Sequence, residues 1–199
     1  MSFDVICFDC DSTLSRIEGI DELARRAGMG EEMSRLTDLA MNGIVPLEAV
    51  YERRLALIRP DQDSINWLAD LYIAEIVEGV KEVFAALFAQ LDPSVPPDLR
   101  LPENHVHAVD IYFNEDGSYR HYDLNSPLAR TGGKAVVVST LKGQCSLVMV
   151  GDGKTDLEAK QAGAYVLGFG GVADRAIVRE LADFYTAEPS LLSVLEHIL

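Results

Sequence analysis

The sequence predicts an α/β protein: a doubly wound parallel sheet, a helical segment inserted after the first strand, and a β-hairpin in the core. Apolar runs at residues 3–9 and 146–150 have the length and composition of strands buried on both faces, as in parallel sheets. Further along the chain, helical patterns alternate with strands, which indicates βαβ units. A composition of 48% hydrophobic and 25% charged residues over 199 positions is typical of a globular protein.

Residues 15–76 carry the pattern of several amphipathic helices and of no strand, and we call this segment the helical insert. Its apolar residues recur at helical spacing, and glycines and prolines separate the runs. The predicted helices comprise residues 18–27, 31–41, 47–58 and 62–73. We expect the insert to lie above the carboxyl ends of the strands, where open α/β sheets bind ligands. Residues 1–14 and 77–199 then form the core.

The remaining core elements are predicted from the same signals. Residues 91–102 contain four of the eight prolines, so they form neither a helix nor a central strand. The sequence NEDG between residues 105–113 and 118–122 predicts a hairpin. Residues 132–141 are ambiguous, since a run of valines favours a strand while the flanking residues allow a helix. The other predicted elements are helices at 77–90, 156–162, 173–181 and 191–199, and strands at 146–150, 164–168 and 184–186.

The charge balance narrows the class of ligand. Seventeen basic and 32 acidic residues give a net charge of −15, which repels nucleic acid and anionic membranes. A small anionic substrate fits only where local cations or a metal ion outweigh this field. No apolar run reaches the ~18 residues of a membrane span, and the first residues lack a signal-peptide pattern. With Cys7, Cys10 and Cys145 expected to be thiols, we expect a cytoplasmic protein.

Two loops that follow predicted strands carry acidic residues. Asp9 and Asp11 come directly after the first strand, and carboxylates at positions i and i+2 of an extended segment point the same way. A divalent cation such as Mg²⁺ between them, or a proton on one, relieves their repulsion. Asp152, between two glycines after a later strand, adds a third carboxylate if the two strands are neighbours. The alternatives are a solvated acidic turn and a glycine-rich turn capped by Thr155 or Asp156.

Two short motifs suggest nucleotide binding, but the residues around them do not fit that function. Lys134 follows two glycines, but the surrounding residues do not match the P-loop pattern. The run GFGGVA at 168–173 matches a dinucleotide fingerprint, yet too little chain follows for the βαβ unit that this fingerprint requires. We therefore reject both nucleotide interpretations.

Arg54 is a cation on the otherwise apolar face of the helix predicted at 47–58. A guanidinium in that position usually forms a structural ion pair, although it is also able to clamp a substrate carboxylate through two hydrogen bonds. From the residues alone, the structural interpretation is favoured.

Five stretches together carry a family resemblance: FDCDST at 8–13, TGGK at 131–134, VGDGKTD at 150–156, RIEGIDELA at 16–24 and LAMNGIVPLEAVYERRLAL at 39–57. The first three resemble the motifs of the haloacid dehalogenase (HAD) superfamily, and the last two resemble the helical cap of its phosphoserine phosphatase branch. The resemblance implies a HAD-like, Rossmann-like core with a small helical cap. It also implies a Mg²⁺-dependent phosphomonoesterase for a small amino-acid phosphate, first of all L-phosphoserine, in serine biosynthesis.

The resemblance also implies roles for the acidic loops. Asp9 is the expected nucleophile, which becomes an aspartyl-phosphate, and Asp11 is the expected proton donor to the leaving oxygen and activator of the hydrolytic water. Lys134 is expected to neutralise the phosphate and the nucleophile. Asp9, Asp152 and the backbone carbonyl of Asp11 are the expected Mg²⁺ ligands, and Asp156 supports their loop and is a further candidate ligand.

Six residues are implied to bind the substrate. Glu18 resembles the residue that binds the substrate ammonium, and Arg54 resembles the one that binds its carboxylate, which replaces the structural interpretation of Arg54. Met41 is expected to pack nearby. The remaining candidates are Ser12, Thr13 and Thr155.

One departure from the family pattern leaves alternatives open. The family has a strand that ends in Ser-Gly-Gly after the helix matching residues 77–90, and its serine and backbone N–H groups hold the phosphoryl group. Here residues 91–102 follow directly, without such a motif. Either the segment is deleted, which would weaken or abolish catalysis, or the sequence omits residues of the natural protein. The alternative function is a catalytically impaired relative that binds a phosphorylated ligand or partner. A phosphoacceptor receiver domain is disfavoured, because the helical insert exceeds ordinary βα connections. The sequence does not show whether the protein is a monomer or an oligomer.

Overall fold

Four parallel strands form the core sheet in a computed structural model, which describes residues 3–41, 44, 47–91 and 101–199. In chain order the strands are β1 (Val5–Phe8), β2 (Ile111–Phe113), β3 (Tyr119–Tyr122), β4 (Leu147–Gly151), β5 (Tyr165–Phe169) and β6 (Phe184–Thr186). The helices are α1 (Gly19–Arg26), α2 (Gly30–Met41), α3 (Leu47–Ile58), α4 (Gln62–Ala74), α5 (Val80–Leu91), α6 (Gly133–Lys142), α7 (Lys154–Leu157), α8 (Ala176–Leu181) and α9 (Leu195–Ile198). Among the described residues, no helix is long and apolar enough to cross a lipid bilayer.

The sheet has the order β1-β4-β5-β6, so two strands far apart in sequence lie side by side. Phe8 pairs with Val150 and Val150 with Leu167, which brings the carboxyl ends of these strands to one edge. All residues of β4 are buried, as its apolar run predicts. The residues of β1 are only half-buried, so the prediction of burial on both faces was wrong for this strand. The reason is that β1 pairs with β4 alone among the described residues.

Helices cover both faces of the sheet, which confirms the doubly wound architecture. Alternate residues of a strand point to opposite faces. Val148 and Val150 pack with α5 and the C-terminal residues, whereas Leu147 and Met149 pack with α6 and the turn that follows α7.

The helical insert has an apolar cluster of its own, formed mainly by α1, α2 and α4. Its two ends meet, because Ser15 and Ile76 form an isolated β-bridge. The backbone N–H of Val77 donates to the carbonyl of Leu14 over 2.9 Å, next to this bridge. These contacts support the proposed division into a core of residues 1–14 and 77–199 and an insert of residues 15–76.

The structure resolves one ambiguous segment, and several other element predictions were wrong in type or extent. The ambiguous segment 132–141 is a helix, α6, which packs against the turn at Glu158–Ala162. The helices predicted at 156–162 and 191–199 each contain a 3₁₀ segment, Glu158–Ala162 and Leu191–Val194 respectively. The predicted hairpin is present, but β2 is much shorter than residues 105–113. Of the segment 91–102, residues 92–100 lie outside the described part of the chain.

Candidate active site

Three carboxylates converge where β1 and β4 end. Asp9 follows β1 and Asp152 follows β4, and because these strands are parallel neighbours both side chains lie at the same edge of the sheet. Asp156, on α7, completes the group, in which one carboxylate oxygen from each residue lies within 4.8 Å of the others. Asp152 is 2% exposed and Asp156 is fully buried. The two acidic loops singled out in the sequence therefore form one cluster, which we call the acidic cluster.

Lys134 neutralises part of this cluster. Its Nζ lies 2.8 Å from Oδ1 of Asp9 and 2.6 Å from Oδ1 of Asp156. Burial disfavours the ammonium, but the two carboxylates outweigh burial and raise the pKa of Lys134 above its ordinary value. A glycine precedes Lys134 for a steric reason: a Cβ at Gly133 would lie 1.9 Å from the carbonyl oxygen of Pro127.

The cluster fits a divalent cation. Burial, followed by the charge of Asp9, raises the pKa of Asp152 to about 6 and that of Asp156 to about 7. Several carboxylates at close range are costly unless positive charge lies between them, and carboxylate oxygens are the ligands that Mg²⁺ prefers. The carboxylate of Asp11 is not part of this group, so its predicted part in metal binding, through its backbone carbonyl, remains a prediction.

Asp11 has different partners from its neighbour Asp9. Its Oδ1 accepts a hydrogen bond from the hydroxyl of Tyr72, and its Oδ2 accepts one from the backbone N–H of Gly19 over 3.2 Å. Burial is the main cause that raises the pKa of Asp11 to about 6, and the hydrogen bond from Tyr72 opposes it. A carboxyl group with such a pKa both donates and accepts protons near neutral pH.

The loop after Asp11 holds Glu18 in place. Ser12 adopts a left-handed backbone conformation with φ 52°, and its hydroxyl donates to Oε1 of Glu18 over 2.8 Å. Burial, with the charges of Asp11 and Asp152, raises the pKa of Glu18 to about 8. Within the described structure, Oε2 of Glu18 and the hydroxyl of Thr13 are buried and make no hydrogen bond. Both polar groups are thus left with unused hydrogen-bonding capacity in the interior.

Arg54 is 3% exposed, which confirms that it points inward from α3, while Arg53 is exposed. Burial lowers the pKa of Arg54, and the negative charges of Asp21 and Glu18 act in the opposite direction. A buried guanidinium thus lies within electrostatic range of Glu18. Thr155 is half-buried on α7, and the side chain of Met41 lies outside the described part of the structure.

Arg175 and Tyr72 contact the site but were missed in the sequence. Nε of Arg175 lies 3.0 Å from Oδ2 of Asp152, and its Nη2 lies 3.4 Å from Oε1 of Glu18, so it links the acidic cluster to the insert. In the sequence, Arg175 is recognisable only as a basic residue in the loop that follows β5. Tyr72 belongs to an apolar helix pattern, which predicts a core residue and gives no sign of its contact with Asp11.

Known proteins resemble this chain in sequence and in fold. No protein-family model matches the chain. It is 35% identical to the phosphoserine phosphatase of Bos taurus over 212 aligned positions, which cover 98% of this chain and 94% of that protein. It is 34% identical to the phosphoserine phosphatase of Homo sapiens, with 94% and 90% covered. Because 212 positions exceed the length of this chain, the first alignment contains positions at which the chain has no residue.

Solved structures share the fold. A phosphoserine phosphohydrolase-like protein from Francisella tularensis matches with a TM-score of 0.83 at 22% identity over 100% of both chains. A substrate-bound phosphoserine phosphatase complex matches with a TM-score of 0.79 at 22% identity over 100% of this chain and 99% of that chain. The two sequence relatives are more than 30% identical to this chain over nearly its whole length. The protein therefore belongs to the phosphoserine phosphatase family of the HAD superfamily, whose members are phosphoric monoester hydrolases.

Proposed function

We propose that this protein hydrolyses L-phosphoserine to L-serine and phosphate, with Mg²⁺ as cofactor and Asp9 as the nucleophile. The observation that carries the proposal is the arrangement of Asp9, Lys134 and the buried Asp152 and Asp156 beside Asp11, in a chain of this family. The net charge of −15 supports a small substrate and neither nucleic acid nor an anionic membrane as partner. We place the reaction in the cytoplasm.

The first chemical step is attack of a carboxylate oxygen of Asp9 on phosphorus. Two anions react only when their repulsion is screened, and Lys134, 2.8 Å from Asp9, supplies one positive charge. Mg²⁺ held by Asp9, Asp152 and Asp156 would supply further charge stabilisation for the phosphoryl oxygens. The P–O bond to serine breaks as the bond to Asp9 forms.

Asp11 donates a proton in the first step and accepts one in the second. The serine oxygen leaves with the P–O electron pair and takes a proton from Asp11. In the second step Asp11 takes a proton from water as the water oxygen attacks phosphorus and releases Asp9. A pKa raised by burial to about 6 suits a group that must first give and then take a proton.

Glu18 and Arg54 are proposed to select the amino acid. An ammonium and a carboxylate on one carbon require one anion and one cation at fixed separation, and both side chains are held by the insert near Asp11. The buried Oε2 of Glu18, which lacks a hydrogen bond in the described structure, suits the substrate ammonium. Binding that cation would favour the ionised form of Glu18. Met41 is proposed to pack against the substrate.

The phosphoryl group needs donors in place of the missing Ser-Gly-Gly segment. Loss of one preorganised donor typically lowers the rate ~10²–10³-fold. We propose that Lys134 supplies most of the replacement, with the hydroxyls of Thr13 and Thr155 as further donors. The hydroxyl of Ser12 would serve only after it releases its hydrogen bond to Glu18. The comparisons lend no support to a catalytically impaired relative, because the similar proteins are phosphatases.

Phosphate release from L-phosphoserine, measured with Mg²⁺ and with a chelator, tests the proposal. Asp9→Asn should abolish metal-dependent release, while Asp70→Asn, an exposed aspartate on α4, serves as the matched control and should leave it unchanged. A panel of other phosphomonoesters tests the choice of substrate. A folded protein that binds Mg²⁺ but releases phosphate from no ester would contradict the proposal and favour the impaired relative.

A further inference from the structure

Tyr72 reaches from the helical insert to the carboxylate of Asp11. It lies on α4, its ring packs beside the apolar cluster of the insert, and its hydroxyl donates to Oδ1 of Asp11. The backbone N–H of Gly19 donates to Oδ2 over 3.2 Å. Asp11 itself belongs to the loop after β1. Both of its carboxylate oxygens are therefore held by groups of the insert, one of them a side chain.

The local structure leaves room for this hydroxyl and holds its residue in place. A Cβ atom at position 19 would lie 2.0 Å from the hydroxyl oxygen of Tyr72, so Gly19 is required for the contact. The hydroxyl of Ser15 donates to the backbone carbonyl of Tyr72 over 3.2 Å. In this contact the hydroxyl of Tyr72 is the donor and the carboxylate oxygen of Asp11 is the acceptor.

We propose that Tyr72 is a positioning residue, which orients the Asp11 carboxylate for proton transfer to the leaving oxygen; this inference rests on the proposed function. Two hydrogen bonds fix the plane of the carboxylate, and lone pairs remain on its oxygens to carry the transferred proton. Without the tyrosine hydroxyl, the bond from Gly19 alone permits rotation of the carboxylate. Proton transfer depends steeply on such geometry.

The leaving group of the substrate separates this role from a general structural one. Serine alkoxide is a poor leaving group and needs a proton as the P–O bond breaks, whereas p-nitrophenolate leaves as a stable anion. The ratio kcat/KM reports the steps up to formation of the phosphorylated Asp9, so it isolates the transfer in which the leaving group departs. A defect in the orientation of Asp11 should therefore affect phosphoserine and spare p-nitrophenyl phosphate.

The experiment compares kcat/KM of wild type and Tyr72→Phe for these two esters in the presence of Mg²⁺. We expect a loss of about ten- to a hundredfold for phosphoserine and of less than about threefold for p-nitrophenyl phosphate, as part of the ~10²–10⁴-fold typical of general acid catalysis. Tyr165→Phe, at the opposite end of the sheet beside Phe3, is the matched control. In an Asp11→Asn background, Tyr72→Phe should change kcat/KM by less than about twofold, since the acid that it orients is absent.

Each result has a defined meaning. Equal losses for both esters, or no loss, would overturn the positioning role, and a rise in kcat/KM would show that the hydroxyl occupies space needed by the substrate. Wild-type protein that releases phosphate from neither ester would overturn both this inference and the proposed function, whereas the other results concern Tyr72 alone. Gly19→Ala is a second variant, which keeps the tyrosine but displaces its hydroxyl, and it should reproduce the selective loss.

Discussion

Replacing Lys134 by methionine tests how much of the acidic cluster depends on one cation. The ammonium lies 2.6 Å from the fully buried Asp156 and 2.8 Å from Asp9. Methionine keeps most of the apolar stem and removes the charge. Removal of one partner from a buried ion pair typically costs about 3–5 kcal/mol, because the other charge stays buried without compensation. We expect a loss of this size in the metal-free protein at alkaline pH.

The loss should grow with pH. Burial raises the pKa of Asp156 to about 7 while Lys134 opposes the shift, so without Lys134 the pKa rises further. In the variant, Asp156 stays protonated when folded but ionises when unfolded, which costs about 1.4 kcal/mol per pH unit. In wild type this cost stops at a lower pH, because Lys134 favours the ionised form of Asp156. Between neutral and alkaline pH the difference in unfolding free energy should therefore increase, by about 1.4 kcal/mol per pH unit at most for this one group.

Urea unfolding with a chelator, at several pH values across this range, measures the effect. Lys142→Met, at the other end of α6, is the control and should show no such pH dependence. Added Mg²⁺ should restore part of the stability of the Lys134 variant, because a cation among the three carboxylates replaces the missing charge. A loss that is the same at all pH values, or that stays below about 1 kcal/mol, would refute the electrostatic argument.

Three further predictions concern metal, pH and substrate. Mg²⁺ at a hundred times its Kd should stabilise wild type by about 2.7 kcal/mol in thermal unfolding, and Asp152→Asn should lose most of this gain; an equal gain in both would contradict the metal assignment. With the pKa of Glu18 raised from 4.5 to about 8, metal-free wild type should lose stability as the pH rises between these values, and Glu18→Gln should be more stable at pH 8 by roughly 3 to 5 kcal/mol. If the unfolding free energies of wild type and Glu18→Gln change with pH in the same way across that range, the raised pKa of Glu18 is contradicted. Arg54→Lys should lower kcat/KM for phosphoserine about tenfold or more but leave p-nitrophenyl phosphate, which has no carboxylate, nearly unchanged. Equal effects on both esters would return Arg54 to a structural role.

The part of the site that follows strands could be predicted from the sequence. Apolar runs of strand length end at Asp9 and Asp152, and parallel strands bring their carboxyl ends together, so proximity of the two carboxylates follows from local patterns. For Arg54 the same patterns gave only its inward direction. Its proposed role rests on the resemblance of residues 39–57 to a family, since an apolar face with one cation by itself favours a structural ion pair.

The other contacts could not be predicted because they join elements that are remote in the chain. Tyr72 and Asp11 are 61 residues apart, and Arg175 and Glu18 are 157 apart, so no local spacing links them. In segment 132–141, by contrast, a local pattern is present but does not decide the structure. Its valines favour a strand locally, but a helical start at Gly133 and packing of Val138 beside Ala159 decide for a helix.

The bridge between Ser15 and Ile76 has a consequence for how such proteins diversify. The chain leaves the core and returns to it at two residues that are paired with each other, Ser15 and Ile76. Segment 15–76 therefore joins its neighbours in the core across a short distance, as a tight turn would. A different segment with the same two ends could replace it without altering the strands that carry Asp9 and Asp152. Under the proposed function, substrate choice would lie in this segment and phosphoryl chemistry in the core, and Tyr72, which contacts Asp11, would have to match both.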